Sequence, residues 1–200
     1  MNKLQRNQSP AAVKMDKALM ELLKMKPFES ITVSELCAEA GVHRSTFYLH
    51  YANTTDLLDE TVQYLLHDFL EYFEPELWQF AVNMDECDLK DLNFICDKYL
   101  IPYLAYVREN HETFMTAHLH GSIFGLEVAC IGLYERVLTP ILDRFHYPRE
   151  DHMYITLYYV RGIHAITIEW LREDCARPIE DMVRIIRNCV FGLNREDPFA

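Results

Sequence analysis

The sequence predicts an all-α protein, with an N-terminal three-helix domain that holds a helix-turn-helix (residues 1–60) and a larger C-terminal helical bundle that dimerises (residues 61–200). Three observations carry this. Only six glycines and eight prolines punctuate 200 residues, and the alternating patterns of strands are scarce. Half the residues are hydrophobic and a quarter are charged, which allows a sizeable core and argues against disorder. The charge is also divided. The chain is acidic overall, at -12, yet residues 1–26 hold six Lys/Arg against two acids, and residues 61–200 hold 12 against 23. Two regions of opposite sign imply different partners.

The elements follow in order. Ser9-Pro10 is a helix start, with Ser9 as N-cap and Pro10 at the first helical position. Ala12, Val13, Leu19, Leu22 and Leu23 form its apolar stripe, and Pro27 ends it near Met25 or Lys26. Thr32 and Glu35 make a capping box, with Ile31 and Leu36 at the staple positions, so a second helix is expected up to Ala40, before Gly41. A third short helix spans His43 to about His50. Asn53, with Asp56 three residues on, opens a fourth, expected to stop near Phe73 before Pro75. Long amphipathic helices are expected near 88–108, 111–119, 125–145, 150–173 and 178–192.

Residues 32–51 suit a nucleic-acid groove. Two short helices joined by a tight glycine turn set the second helix in the major groove, and Gly41 can take the positive φ that the turn needs. Val42, Phe47 and Tyr51 face inward, leaving His43, Arg44, Ser45, Thr46 and Tyr48 outside. Arg44 offers a fork of donors to a guanine edge. Thr46, Tyr48 and His50 can donate to phosphates, and Tyr48 can also touch a thymine methyl. The second helix presents backbone N–H groups at Val33 and Ser34, after the Thr32 cap, to a phosphate. A plain helical corner of an all-α core would share the turn glycine and the caps.

Residues 9–60 resemble the DNA-binding domain of the TetR family of bacterial regulators. The resemblance lies in Phe28, Ile31-Thr32-Val33, Leu36-Cys37, Ala40-Gly41-Val42, Ser45-Thr46-Phe47-Tyr48, His50-Tyr51 and Leu57. It implies a homodimer whose third helices enter the major grooves of a palindromic double-stranded DNA operator. It also implies a small-molecule effector bound by the C-terminal domain, which changes the spacing of the two reading heads; most members repress. Beyond residue 65 the resemblance reduces to length, helix content and a tail like the family's dimerisation helices, with Trp170 and Pro178. The chain departs from the family at Leu49 and Thr54, where a basic residue and a Lys are usual, and at His43, where a Ser cap is usual. Each missing phosphate contact lowers the salt dependence of binding by about one unit of slope.

In the C-terminal region, aromatics mix with acids. Phe73, Tyr99, Tyr103, Phe114, Met115, His118, Phe124 and Tyr158 are candidates to line an apolar pocket, although the same spacing serves ordinary packing. The acidic surplus hints at a cationic ligand. Ile155, Tyr159, Gly162, Ile163, Ile166 and Trp170 on one helix, with Met182, Ile185, Ile186 and Cys189 on the next, are the expected dimer face of a four-helix arrangement.

No metal site is expected. His111 and His118 share a helix face, but His120 does not, and no Asp, Glu or Cys completes a set. No catalytic motif or cofactor motif occurs, so neither an enzyme nor a cofactor is expected. Cysteines 37, 87, 96, 130, 175 and 189 form no CxxC pair and read as free thiols. No membrane span or secretory signal is expected, which implies a cytoplasmic protein. One alternative function is a fold-retaining regulatory partner or coactivator subunit, acting through protein contacts with weak or no DNA binding.

Overall fold

The computed structural model describes residues 9–83, 95–124, 138–139 and 141–191, with backbone alone at residues 70, 73–83 and 191. Among the described residues there is no strand. The helices are α1 (Pro10–Met25), α2 (Val33–Ala40), α3 (Arg44–His50), α4 (Thr54–Asn83), α5 (Asp97–Glu109), α6 (His111–Leu119), α7 (Gly121–Phe124), α8 (His152–Arg172) and α9 (Ile179–Phe191). Residues 141–144 are also helical, and 3-10 turns occupy Phe28–Ser30 and Arg149–Asp151. Two compact units result: one is residues 1–70 with 116–126, the other residues 71–115 with 127–200. Among the described residues no helix is long and apolar enough to cross a membrane.

Unit one is organised by local chemistry. Pro10 stands at the start of α1 as expected, although Ser9 makes no side-chain cap bond. The capping box forms in full: the Glu35 N–H donates to Thr32 Oγ1 at 3.3 Å, and the Thr32 N–H donates to Glu35 Oε2 at 3.0 Å. Gly41 closes α2 at φ 62, ψ 40, and the Val42 N–H reaches the Cys37 carbonyl at 2.9 Å. That left-handed close satisfies carbonyls that a helix end leaves without partners. Asn53 caps α4 by accepting the Asp56 N–H on its Oδ1, and the Asp56 carboxylate reaches back to accept the Ala52 N–H, both at 3.0 Å.

The apolar sides of these helices meet in one cluster that includes Met15, Leu19, Leu36, Phe47 and Leu57, each fully buried. Ala117 and Phe124 complete it from residues 116–126. One charge lies inside. Asp16 is buried and accepts a hydrogen bond from Thr61 Oγ1 at 2.8 Å. Burial pushes its carboxyl up to about 6, against the lowering effect of the Thr61 bond, and nearby Glu60 raises it further. Thr61 Oγ1 also lies 2.9 Å from the Leu57 carbonyl. A protonated Asp16 donating to Thr61 Oγ1 would free the single hydroxyl proton for the Leu57 carbonyl.

Unit two packs α5, α8 and α9 around Leu104, Ile163, Trp170, Met182 and Ile186. A smaller cluster joins Val107, Ile168 and Leu171 with Tyr103, Phe114 and Met115. Two polar bonds hold the C-terminal end of α8. His111 Nε2–H donates to the Leu171 carbonyl at 2.9 Å, and the Trp170 indole N–H donates to the Arg177 carbonyl at 2.9 Å. The turn after α8 places Asp174 and Cys175 at φ 54 and 53.

Two expected boundaries are corrected. α4 does not stop before Pro75 but runs on to Asn83. A proline forfeits its own intrahelical bond at a cost of about 3 kcal/mol, which the rest of a 30-residue ladder can absorb. Of the helix expected over 88–108, residues 88–94 lie outside the described residues; a turn falls at Ile95–Cys96, and α5 begins at Asp97, whose charge favours a helix N-terminus. Most of the helix expected over 125–145 lies outside the described residues, as do Cys87 and Cys130.

Candidate nucleic-acid interface

The third helix is held by one anchor. Phe47 is fully buried in unit one. Tyr48 stands edge-on to its ring, with centroids 5.5 Å apart at 88°, and Tyr51 tilts against it at 5.6 Å. Tyr51 is buried and its hydroxyl donates to Glu60 Oε1 at 3.5 Å. With Phe47 fixed inward, the helical repeat turns Ser45 and Leu49, two positions to either side, outward. Tyr48 and Leu49 are 59% and 77% exposed. Arg44 lies three residues before Phe47, on the flank towards α2, where its charge acts on the Cys37 thiol. The dominant effect on that thiol is burial, which pushes it up.

His43 and Arg44 are exposed, and the His43 carbonyl starts the helix by accepting from Thr46 and Phe47 N–H, without a side-chain cap. Ser45 is exposed, while Thr46 and His50 are half-buried. Thr32 is committed elsewhere: its N–H and hydroxyl both donate to Glu35 Oε2, at 3.0 and 2.7 Å. Val33 and Ser34 follow at the first helical positions of α2, where backbone N–H groups lack intrahelical acceptors. Thr54 is the first residue of α4, directly after the Asn53 side chain that caps it.

The local electrostatics are more neutral than the basic first 26 residues imply. Lys26 pairs with Glu35 at 2.6 Å and Lys24 with Glu21 at 2.8 Å. The Lys26 bond, followed by the Thr32 bonds, pulls the Glu35 carboxyl down to about 2. Among the described residues of unit one, Lys14, Lys17 and Arg44 make no ion pair. Unit one as a whole holds seven Lys/Arg and nine Asp/Glu.

The pocket candidates separate. Tyr103, Phe114 and Met115 come together at the smaller cluster of unit two, joined by Tyr106, whose ring meets Phe114 edge-on at 6.0 Å. Tyr106 and its neighbour Tyr72, at 4.8 Å, were not singled out in the sequence. Tyr99 lies on α5, four residues before Tyr103, with Lys98 Nζ 5.2 Å from its ring centroid. Phe124 lies in the unit-one core, and His118 is in unit one too. Tyr158 is exposed on α8 and donates to the Cys189 carbonyl at 3.3 Å. The Phe73 side chain is outside the described residues.

The dimer candidates also divide. Ile163, Trp170, Met182 and Ile186 are buried within unit two, and Tyr159, Ile166 and Ile185 pack half-buried against them. Ile155 is half-buried, whereas Gly162 and Cys189 are exposed. Among the described residues no group of three or more His, Cys, Asp or Glu converges to hold a metal.

Comparison with known proteins agrees with this geometry. Residues 17–61 match the family described as bacterial regulatory proteins, tetR family. An uncharacterized HTH-type transcriptional regulator, YxbF, of Bacillus subtilis (strain 168) is 27% identical over 166 residues, covering 83% of this chain and 41% of that protein. The chain thus spans less than half the length of this curated relative. The fold is similar to a fatty acid degradation regulator FadR from Bacillus halodurans, with a TM-score of 0.66, 15% identity, and 95% of this chain and 99% of that one covered. It is also similar to a FadR from Bacillus subtilis solved in complex with stearoyl-CoA, with a TM-score of 0.59, 15% identity, and 91% and 99% covered. With Phe47 anchoring an exposed third helix inside the matched segment, residues 17–61 form a helix-turn-helix segment similar to that of the tetR family of bacterial regulatory proteins.

Proposed function

We propose that the chain is a homodimeric transcriptional repressor that binds a palindromic DNA operator through α3 and is released by a small-molecule effector in unit two. The observation that carries the reading is the recognition helix: Phe47 is buried, and Arg44, Ser45, Tyr48 and Leu49 stand exposed around it. A reading head of seven residues covers one half-site, so two are needed for a palindrome. Tyr154, Tyr158, Gly162 and Ala165 form an exposed row on α8, and a side chain at Gly162 would meet only open space. That row, with Cys189 on α9, supports a face open to a second copy.

The effector reading draws on unit two. Tyr103, Tyr106, Phe114 and Met115 gather into an apolar, aromatic cluster of the kind that an apolar ligand would meet. The FadR neighbour that holds stearoyl-CoA makes a long acyl chain the first ligand to try. The experiment is a titration of duplexes enriched from a random-sequence pool, across salt, with and without stearoyl-CoA. Saturable, salt-sensitive binding of two chains per duplex is expected, with release by the acyl thioester. Binding that stearoyl-CoA leaves unchanged would overturn that ligand class.

Within the same assay Arg44→Ala should cost about 1–3 kcal/mol and relax preference at one base pair. An equal loss on every duplex would assign Arg44 to a phosphate.

The second reading, a regulatory partner with weak or no DNA binding, is favoured by the acidic balance of unit one and by its paired lysines. Absence of any saturable binding at low salt would establish it over the first.

A further inference from the structure

We propose that Leu49 is a sequence-reading residue of α3 that takes the 5-methyl group of a thymine in the major groove. The inference rests on the DNA-reading function above and deepens it. Leu49 is 77% exposed, more than any other large apolar side chain among the described residues. Single exposed leucines are ordinary on protein surfaces, so its position decides the matter. Phe47 fixes the inward direction of α3. Leu49 is two residues beyond it and four beyond Ser45, so at about 100° per residue the two stand on the ridge opposite the buried ring. That ridge is the part of a groove-bound helix that comes nearest to the base edges.

The ridge has a distinct chemistry. Polar groups surround the leucine, from Ser45 behind it to Tyr48 and Thr46 at its flanks, and Arg44 lies further back. Leu49 can make no hydrogen bond. Major-groove edges present donors and acceptors at guanine, cytosine and adenine, and one apolar group, the thymine methyl. Against any other base the leucine would cover polar atoms without replacing their water. It therefore selects thymine twice, through contact with the methyl and through the desolvation of the alternatives. A cation here would attract every sequence alike; the leucine gives up that general attraction for discrimination at one position.

The test uses the full chain and duplexes that it enriches from a random-sequence pool, with each thymine replaced in turn by uracil, which lacks the methyl. At one thymine of each half-site, uracil is expected to weaken the wild-type chain about fourfold, the worth of one buried methyl. Leu49→Ala should lose a similar factor on the thymine duplex, become indifferent to uracil at that position and remain sensitive to changes elsewhere. Its thermal melt should match the wild type, because the side chain packs against little. The proposal is overturned if Leu49→Ala weakens every duplex equally, if it keeps the uracil sensitivity, or if it reads DNA as the wild type does; the last result assigns the leucine to a protein contact. If the wild-type chain enriches no sequence, the DNA-reading function fails first, before any substitution is made.

Discussion

Two of the turns that put residues in the left-handed region, where His146 at φ 57 also lies, do so by different means. In unit one the turn after α2 uses Gly41, at φ 62, in a close that any helix of this sequence would favour. In unit two the turn after α8 uses Asp174 and Cys175, at φ 54 and 53. Neither is a glycine, and such residues cost more there than a glycine does. Both turns carry the same backbone close, here the Cys175 N–H on the Trp170 carbonyl at 3.0 Å, and the second adds a side-chain clamp, the Trp170 indole N–H donated to the Arg177 carbonyl. The first turn thus rests on its glycine, and the second on a buried side chain of the helix before it.

The largest way to break this contrast is Trp170→Ala. It removes a side chain only 1% exposed together with the bond that closes the turn. A loss of about 3–5 kcal/mol is expected, read as an earlier denaturant midpoint by circular dichroism. A loss below about 1 kcal/mol would mean that the turn holds itself.

Next is the pH dependence set by Asp16. Burial holds its folded pKa at about 6, above the ordinary 3.8, so the folded state binds the proton more tightly. Stability should therefore be highest near pH 4, fall as pH rises towards 6 and level off above it, by about 3 kcal/mol in all. Asp16→Asn should remove that slope. The Glu35 carboxyl, held down to about 2, acts oppositely and in a lower window: its stabilisation is present above pH 4.5 and disappears as pH falls through 2. A wild-type curve flat between pH 4 and 6 would show that water reaches Asp16.

Smaller effects test the turns themselves. Gly41→Ala should cost about 1–2 kcal/mol from backbone conformation alone, since an added Cβ meets nothing within 4 Å. Asp174→Gly should stabilise by up to about 1 kcal/mol, because the Asp174 side chain is 97% exposed and gives up little. If both substitutions destabilise equally, the two turns are not built differently.

The same contrast explains what the sequence revealed. The capping box of Thr32 and Glu35, the glycine close and the Asn53–Asp56 start were legible because each is written within four residues. The inward Phe47 was legible too, and counting round the helix from it gives the outward Leu49, although its residue type alone signals only a missing charge. The Lys26–Glu35 pair spans nine residues and carries no local pattern, so the first helix looked more basic than its surface is. Trp170 was assigned to a dimer face because an apolar stripe does not say which neighbour covers it. Phe124 read as pocket lining for the same reason, yet it lies in the core of unit one.

Unit one is also not a continuous piece of chain. His120 Nε2–H donates to the Leu23 carbonyl at 2.7 Å, across 97 residues, covering a carbonyl that the end of α1 leaves open. Ala117 and Phe124 fill the same core. Chains are made from the N-terminus at about 5–20 residues per second, so α1, α2 and α3 exist for seconds before the segment that completes their core has been synthesised. A reading head assembled in that order reaches its finished form only after Phe124 has been translated, and a message truncated before it would yield helices without the residues that complete their core.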